Sequence, residues 1–314
     1  MIDNITNNKL IYNLDNIISR QPITADIFLN DYCNNNCPYC VYERYMNRKG
    51  KDMSFDEFKT YTDILLNHGV KGIILTGGGE PTINKYFDKI TGYLESNNIR
   101  YGINTNFNVL KFIKPQYLKV SLDGYDSTSY IRFRGTDAYD RVIENIKNYL
   151  FWKKENNVTT SVGIQHIAID TDEITKFYEA HKNLDIDYFN FRPMESTNHT
   201  YYDNNDVEKI ISHLNTLKHH DNRVIINYKF YETKTCFERC YANFSQIALN
   251  EKGEVIYCCH KPYEVTGHIT DKDIWDKIKE SKTNMSMCDV PCRLTGPNKI
   301  MKQLEKGVIN SEFI

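Results

Sequence analysis

No stretch of this 314-residue chain approaches the ~20 continuous apolar residues that a membrane-spanning helix needs. The first thirty residues, MIDNITNNKLIYNLDNIISRQPITADIFLN, lack the basic start and apolar run of a secretory signal. An excess of one charge is missing too. With 39 Lys and Arg against 41 Asp and Glu, the net charge is -2. With no basic run either, there is no electrostatic footprint for nucleic acid or an anionic membrane. Solenoid repeats and low-complexity linkers are absent. What remains reads as a cytoplasmic globular protein, 40% hydrophobic and 25% charged, able to bury a substantial core. Its heavy use of Asn, Lys, Ile and Tyr is consistent with genome composition.

Cysteine is missing from the whole middle of the chain, yet there are 9 in all. Cys33, Cys37 and Cys40 form one group, and Cys236, Cys240, Cys258, Cys259, Cys288 and Cys292 form another. An odd number without a secretory signal argues for metal or redox chemistry over a disulfide framework. The distribution predicts two separate sites.

Between about residues 24 and 195 short apolar runs alternate with amphipathic segments, as in repeated β/α units. Strands are expected at Ala25–Leu29, Gly72–Thr76, Tyr101–Asn104, Leu118–Leu122, Thr160–Ala168 and Tyr188–Arg192. Ser54 and Glu57 form a capping box for a helix whose Phe58, Tyr61, Ile64 and Leu65 share one face, with Gly69 as its stop. Tyr139, Val142, Ile143, Ile146 and Leu150 mark a second helix. Six units make a partial barrel, α/β in class, with a (β/α)6 arrangement of the TIM type. After about residue 220 the rhythm changes to short strands at Gln246–Leu249 and Val255–Tyr257, a turn at Lys252–Gly253 and helical patterns near 271–282 and 297–306. The expected division is an extension over 1–23, the barrel over 24–220 and a small module over 221–314.

The segment Asp31-Tyr32-Cys33-Asn34-Asn35-Asn36-Cys37-Pro38-Tyr39-Cys40 follows the first strand, at the mouth where βα loops build active sites. Three thiolates can hold three irons of a [4Fe–4S] cube and leave the fourth open. Structural zinc is the competing reading, but it wants a fourth ligand, and none follows nearby. Cys33-x3-Cys37-x2-Cys40, with Tyr39 before the last cysteine, resembles the signature of the radical S-adenosylmethionine (SAM) superfamily. The resemblance implies that SAM chelates the open iron and that reduction releases a 5′-deoxyadenosyl radical. The electron would come from an external flavodoxin- or ferredoxin-like donor.

Further positions resemble the family's SAM contacts. Thr76-Gly77-Gly78-Gly79-Glu80-Pro81 looks like its GGE motif, implying that Gly78, Gly79 and Glu80 meet SAM's amino group. Taken alone, a glycine run is as well read as a plain turn. Ser121 and Asp123 resemble the ribose-contacting position, and Arg134 the residue that meets SAM's carboxylate. A surface salt bridge is the bland reading of Arg134. Asn104, Asn106, Gly163 and Gln165 are weaker candidates.

In the tail, Cys240-x12-Gly253-x4-Cys258 resembles the hairpin that opens SPASM and twitch modules. A glycine turn would bring two cysteines from antiparallel strands together. With Cys288 and Cys292 they would bind one auxiliary [4Fe–4S] cluster, giving two clusters in all. The Cys288-x3-Cys292 spacing departs from the CxxC of the twitch pattern. A four-thiolate zinc site is the competing reading. Cys236 and Cys259 are candidate hydrogen-atom donors or replacement ligands, or simply buried small residues.

Arg192 and Glu195, at the end of the sixth strand, could fix polar groups of a substrate or act as a base. Gln165 and His166 must point to opposite faces, and a structural histidine is the plainer reading of His166. Twitch relatives include an aminocyclitol dehydrogenase and an aminoglycoside epimerase. The enzyme that starts molybdenum cofactor assembly ends in Gly-Gly, unlike Ser-Glu-Phe-Ile here. The expected activity is hydrogen abstraction from a small polar, sugar- or aminocyclitol-like substrate, leading to oxidation or epimerisation. The alternative is a peptide-modifying maturase, against which the short segment before the first strand argues. A non-catalytic iron–sulfur or zinc protein is a third class.

Overall fold

In the computed structural model the residues described are 21–40, 42, 50–194, 204–227, 240, 246–258, 261–280 and 298. Strands β1 (Thr24–Phe28), β2 (Gly72–Thr76), β3 (Tyr101–Thr105), β4 (Tyr117–Ser121), β5 (Ser161–Ile167) and β6 (Tyr188–Arg192) pair in parallel, in sequence order. Between them run α1 (Phe55–Asn67), α2 (Phe87–Ser96), α3 (Ser127–Arg134), α4 (Tyr139–Glu155) and α5 (Thr171–His181). The fold is the α/β partial barrel that the alternation of runs predicts.

The sheet is larger than six strands. Helix α6 (Asn204–His220) leads to β7 (Val224–Ile226), which pairs in parallel with β6. On the opposite edge β8 (Gln246–Leu249) pairs in parallel with β1, and β9 (Glu254–Cys258) and β10 (Lys261–His268) continue antiparallel. Helix α7 (Ile274–Glu280) follows. The described strands of 221–314 therefore share one ten-stranded sheet with the barrel. Strand β10 was not foreseen, because Pro262 sits inside it. Among the described residues it is the edge strand, with no further neighbour to which residue 262 would have to donate an N–H, and its register shifts twice along β9.

Local chemistry explains the elements. Ser54 and Glu57 close the capping box on α1, and Phe58, Tyr61 and Leu65 are buried. Asp126 and Ser129 form a second box on α3, which ends at left-handed Gly135. Along the strands one parity (Ala25, Ile27, Ile73, Leu75, Ile103, Leu118, Val120, Ile164, Phe189, Phe191) joins the core beneath the helices. The other parity faces inward and is polar toward the C-terminal ends of β3–β6: Asn104, Lys119, Ser121, Gln165, Asn190 and Arg192. Among the described residues no helix is long and apolar enough to cross a membrane.

Candidate active site

The cysteine loop leaves β1 and is pinned by its neighbours. On the β2 side, the Gly79 N–H donates to the Asn30 carbonyl (3.0 Å) and the Glu80 N–H to the Tyr32 carbonyl (2.9 Å). A Cβ on Gly79 would lie 1.9 Å from the Tyr32 carbonyl oxygen. Here the glycine is required by the backbone of the cysteine loop itself. On the α3 side, the Asn36 N–H donates to the Arg134 carbonyl (3.0 Å), and a Cβ on Gly135 would lie 2.1 Å from the Asn36 carbonyl oxygen. From the β3 end, Asn106 Nδ2 donates to Asn34 Oδ1 (2.7 Å) and Asn108 Nδ2 to Asn35 Oδ1 (2.6 Å). Beyond the loop, the Tyr42 ring packs edge-on against Phe28 at 5.2 Å, over Ala248 and Ile256 of the C-terminal strands.

Cys33, Cys37 and Cys40 are half-buried free thiols. The Cys33 and Cys37 sulfurs receive N–H donors. The Asn35 N–H lies 3.4 Å and Asn106 Nδ2 3.7 Å from Cys33 Sγ, and Arg134 Nη1 lies 3.5 Å from Cys37 Sγ. Burial, reinforced by the Glu80 carboxylate, pushes the Cys33 thiol up to about 12. A bound cation inverts that preference and makes the thiolate the stable form.

Gly78 is buried in the turn after β2. The Glu80 carboxylate is buried and already accepts four hydrogen bonds. Oε1 takes the Thr82 N–H (3.1 Å) and the Thr82 and Thr105 hydroxyls (2.6 and 2.5 Å), while Oε2 takes the Asn106 N–H (2.7 Å). Burial raises its pKa, and these bonds pull the other way. Glu80 thus ties the glycine turn to the end of β3.

Ser121 ends β4, half-buried and paired with Gln165. Two residues on, Asp123 is wholly buried in a left-handed conformation, φ 57°. Its Oδ1 accepts the Ile167 N–H (2.8 Å), and its Oδ2 accepts the Tyr39 hydroxyl (3.1 Å) and pairs with Arg134 Nη2 (2.5 Å). Burial holds the Tyr39 hydroxyl well above its ordinary pKa, so it is the donor. Arg134 is not a surface group: it is 7% exposed, between Asp123 and Cys37.

Arg192 is the last residue of β6, and its charge acts on the Tyr39 hydroxyl from the inner face. Nearby, Asn190 Nδ2 donates to Gln165 Oε1 (3.1 Å). His166 takes the opposite face, stacked on Phe177 of α5 at 4.3 Å, and its Nδ1–H donates to the Asp123 carbonyl (2.8 Å). Burial drops its pKa to about 4, so it is neutral.

In the C-terminal part, Cys240 is buried; its carbonyl accepts the Tyr257 hydroxyl (2.6 Å), and Asn298 Nδ2 lies 3.6 Å from its Sγ. Tyr257 immediately precedes Cys258, the last residue of β9, so residue 240 lies beside that strand end. Gly253 occupies the β8–β9 turn at φ 80°. Glu195, Cys236, Cys259, Cys288 and Cys292 lie outside the described residues. Asn34, Asn35, Asn108 and Thr136, which bonds Asn35 Oδ1 at 2.9 Å, were not foreseen as site residues. In a chain so rich in asparagine, the Asn-Asn-Asn run carried no signal of its own.

Residues 27–177 match the Radical SAM superfamily. An uncharacterised protein of Methanocaldococcus jannaschii is 28% identical over 273 residues, 82% of this chain and 91% of that protein. A probable GTP 3′,8-cyclase of Pyrococcus abyssi is 29% identical over 154 residues, 46% of this chain and only 50% of the cyclase. Among solved structures, SuiB of Streptococcus suis bound to precursor peptide SuiA aligns with a TM-score of 0.65 at 15% identity, covering 95% of this chain and 76% of SuiB. The structure of anSMEcpe with bound AdoMet aligns at 0.64 and 19% identity, covering 85% and 79%. At these identities the two structures speak to the fold alone. The matched segment runs from β1 into α5 and contains the whole Cys33–Cys40 loop with the turn, strand end and arginine packed around it, and over residues 27–177 the chain carries a radical SAM domain.

Proposed function

We propose that this chain uses SAM and a [4Fe–4S] cluster, both implied by its family, to generate a 5′-deoxyadenosyl radical that abstracts hydrogen from a small polar, sugar- or aminocyclitol-like substrate. The product would be oxidised or epimerised. Cys33, Cys37 and Cys40 would hold the cluster, and the donor set fits it. Three thiols share one loop, the Cys33 and Cys37 sulfurs meet N–H donors, and no three His, Cys, Asp or Glu among the described residues gather as a single ion would need. Thiolates on separate irons of a cube stand farther apart than the ligands of one zinc.

In this reading Gly78, Gly79 and Glu80 receive SAM's ammonium, the turn supplying backbone carbonyls and Glu80 its buried charge. Ser121, Asp123 and Tyr39 line the ribose side, and Arg134 faces the carboxylate while keeping Asp123 as its partner. The polar inner face of β3–β6 carries the substrate assignment. Asn104, Lys119, Gln165, Asn190 and Arg192 present amides and cations that suit hydroxyl and carbonyl groups. Glu195, Cys236 and Cys259 remain the candidate base and hydrogen donors.

For the segment 221–314 we assign an auxiliary cluster to Cys240, Cys258, Cys288 and Cys292. Support comes from the Gly253 turn, from residue 240 lying beside the end of β9 and from the Asn298 amide on the Cys240 sulfur. A peptide substrate is the second reading. SuiB with its precursor peptide aligns over 95% of this chain, and anSMEcpe is known with a bound Cp18Cys peptide.

The test is anaerobic purification and reconstitution, iron counting and dithionite-dependent 5′-deoxyadenosine formation, with and without a Cys33/Cys37/Cys40→Ala variant. About eight irons per chain, falling to about four in the variant with all cleavage lost, is the expected result. A loaded protein that neither binds nor cleaves SAM would overturn the reading. Deuterated aminocyclitols and peptides then separate the two substrates by the label found in 5′-deoxyadenosine.

A further inference from the structure

The side-chain amide of Asn106 is locked in one orientation. Its Oδ1 accepts the Asn108 backbone N–H at 3.0 Å, and a backbone N–H can only donate. The amide oxygen is therefore on that side, and Nδ2 must be the atom facing Asn34 Oδ1 and Cys33 Sγ. The backbone of the same residue is held separately, its N–H donating to Glu80 Oε2 at 2.7 Å. Asn106 is 5% exposed, so no water competes freely for Nδ2. Asn34 Oδ1 takes one of its two N–H bonds, and the other is directed at the thiol.

We propose that Asn106 is a positioning residue that sets the reduction potential of the SAM-binding cluster through its N–H bond to the Cys33 sulfur. This rests on Cys33, Cys37 and Cys40 holding that cluster. Accepting one electron from the external donor adds negative charge, which spreads onto the thiolate sulfurs. An N–H dipole aimed at a sulfur stabilises that charge and raises the potential. The effect works from outside the ligand set, so iron binding and potential are separable. Asn106 also spans two parts of the site, because its backbone holds the glutamate of the glycine turn and its side chain holds the cysteine loop. Binding at the turn is thereby connected to the electronics of the cluster by a single residue.

The experiment is an EPR-monitored redox titration of the reconstituted full chain, following only the signal that changes when SAM is added. Asn106→Asp keeps the shape and the acceptor for the Asn108 N–H but replaces the donor with an anion. Asn106→Ala removes the donor without adding charge. At a fixed solution potential near the wild-type midpoint, the ratio of reduced to oxidised cluster should fall about tenfold in the Asp variant. That corresponds to about 59 mV for one electron. A smaller fall in the same direction is expected for Ala, with iron content unchanged in both. If either variant retains its iron and its ratio stays within about twofold of wild type, the inference is overturned. Wild-type protein that assembles no SAM-responsive cluster would instead overturn the reading of the cysteine loop.

Discussion

Arg134 Nη2 stands 2.5 Å from Asp123 Oδ2, and both side chains are almost wholly removed from water. The pair joins the C-terminal end of α3 to the turn after β4, and Arg134 extends from it to the Cys37 sulfur. Removing one partner leaves the other charge buried and alone, which typically costs about 3–5 kcal/mol. Asp123→Ala is therefore expected to lower stability by that order, and the Asp123→Ala/Arg134→Met double variant to recover part of it. Urea unfolding of the four proteins in the cycle measures the coupling. Strict additivity would show that the pair is not coupled.

Two glycines should respond in opposite directions to alanine. Gly135→Ala would place a left-handed Cβ against the Asn36 carbonyl, so the loop between Cys33 and Cys37 must move. Iron content after reconstitution is expected to drop together with the thermal midpoint. Gly92 is exposed within α2, with nothing within 4 Å of the position its Cβ would take, and Gly92→Ala should raise stability by about 1 kcal/mol.

Stability should fall as the pH is lowered through the histidine range. His166 and His181 are both held down to about 4 by burial. In the unfolded chain a histidine titrates near about 6.5. Between about 6.5 and 4 the unfolded chain binds protons that the folded chain refuses. Each histidine then removes about 1.4 kcal/mol per pH unit, and above pH 7 neither contributes. Urea midpoints from pH 7.5 to 5 measure the slope, which His181→Gln should reduce by one histidine's share.

The auxiliary site can be tested without the first. Cys240→Ala should remove about four irons per chain and leave SAM cleavage in place. An iron content unchanged by this substitution would remove Cys240 from the ligand set.

The β/α alternation was legible because each barrel strand buries one parity against a helix, so Ile73, Leu75, Val120 and Phe189 recur at strand spacing. The first capping box was legible because Ser54 and Glu57 act within one turn. What escaped was non-local. β10 was hidden by its proline, and β7 by its three-residue length. Asn35 and Asn108 bond across 73 residues, which no local pattern encodes.

By itself, the sequence determined the parallel β/α frame, the position of the cysteine loop after β1 and the family. Side-chain periodicity and motif spacing are local properties. Tertiary structure alone decided that β8 continues the barrel sheet beside β1, that Gly79 and Gly135 serve the cysteine loop's backbone, and that Arg134 is buried between Asp123 and Cys37. Each of those depends on which chain segments are brought within a few ångströms, and that follows only from packing the whole sheet.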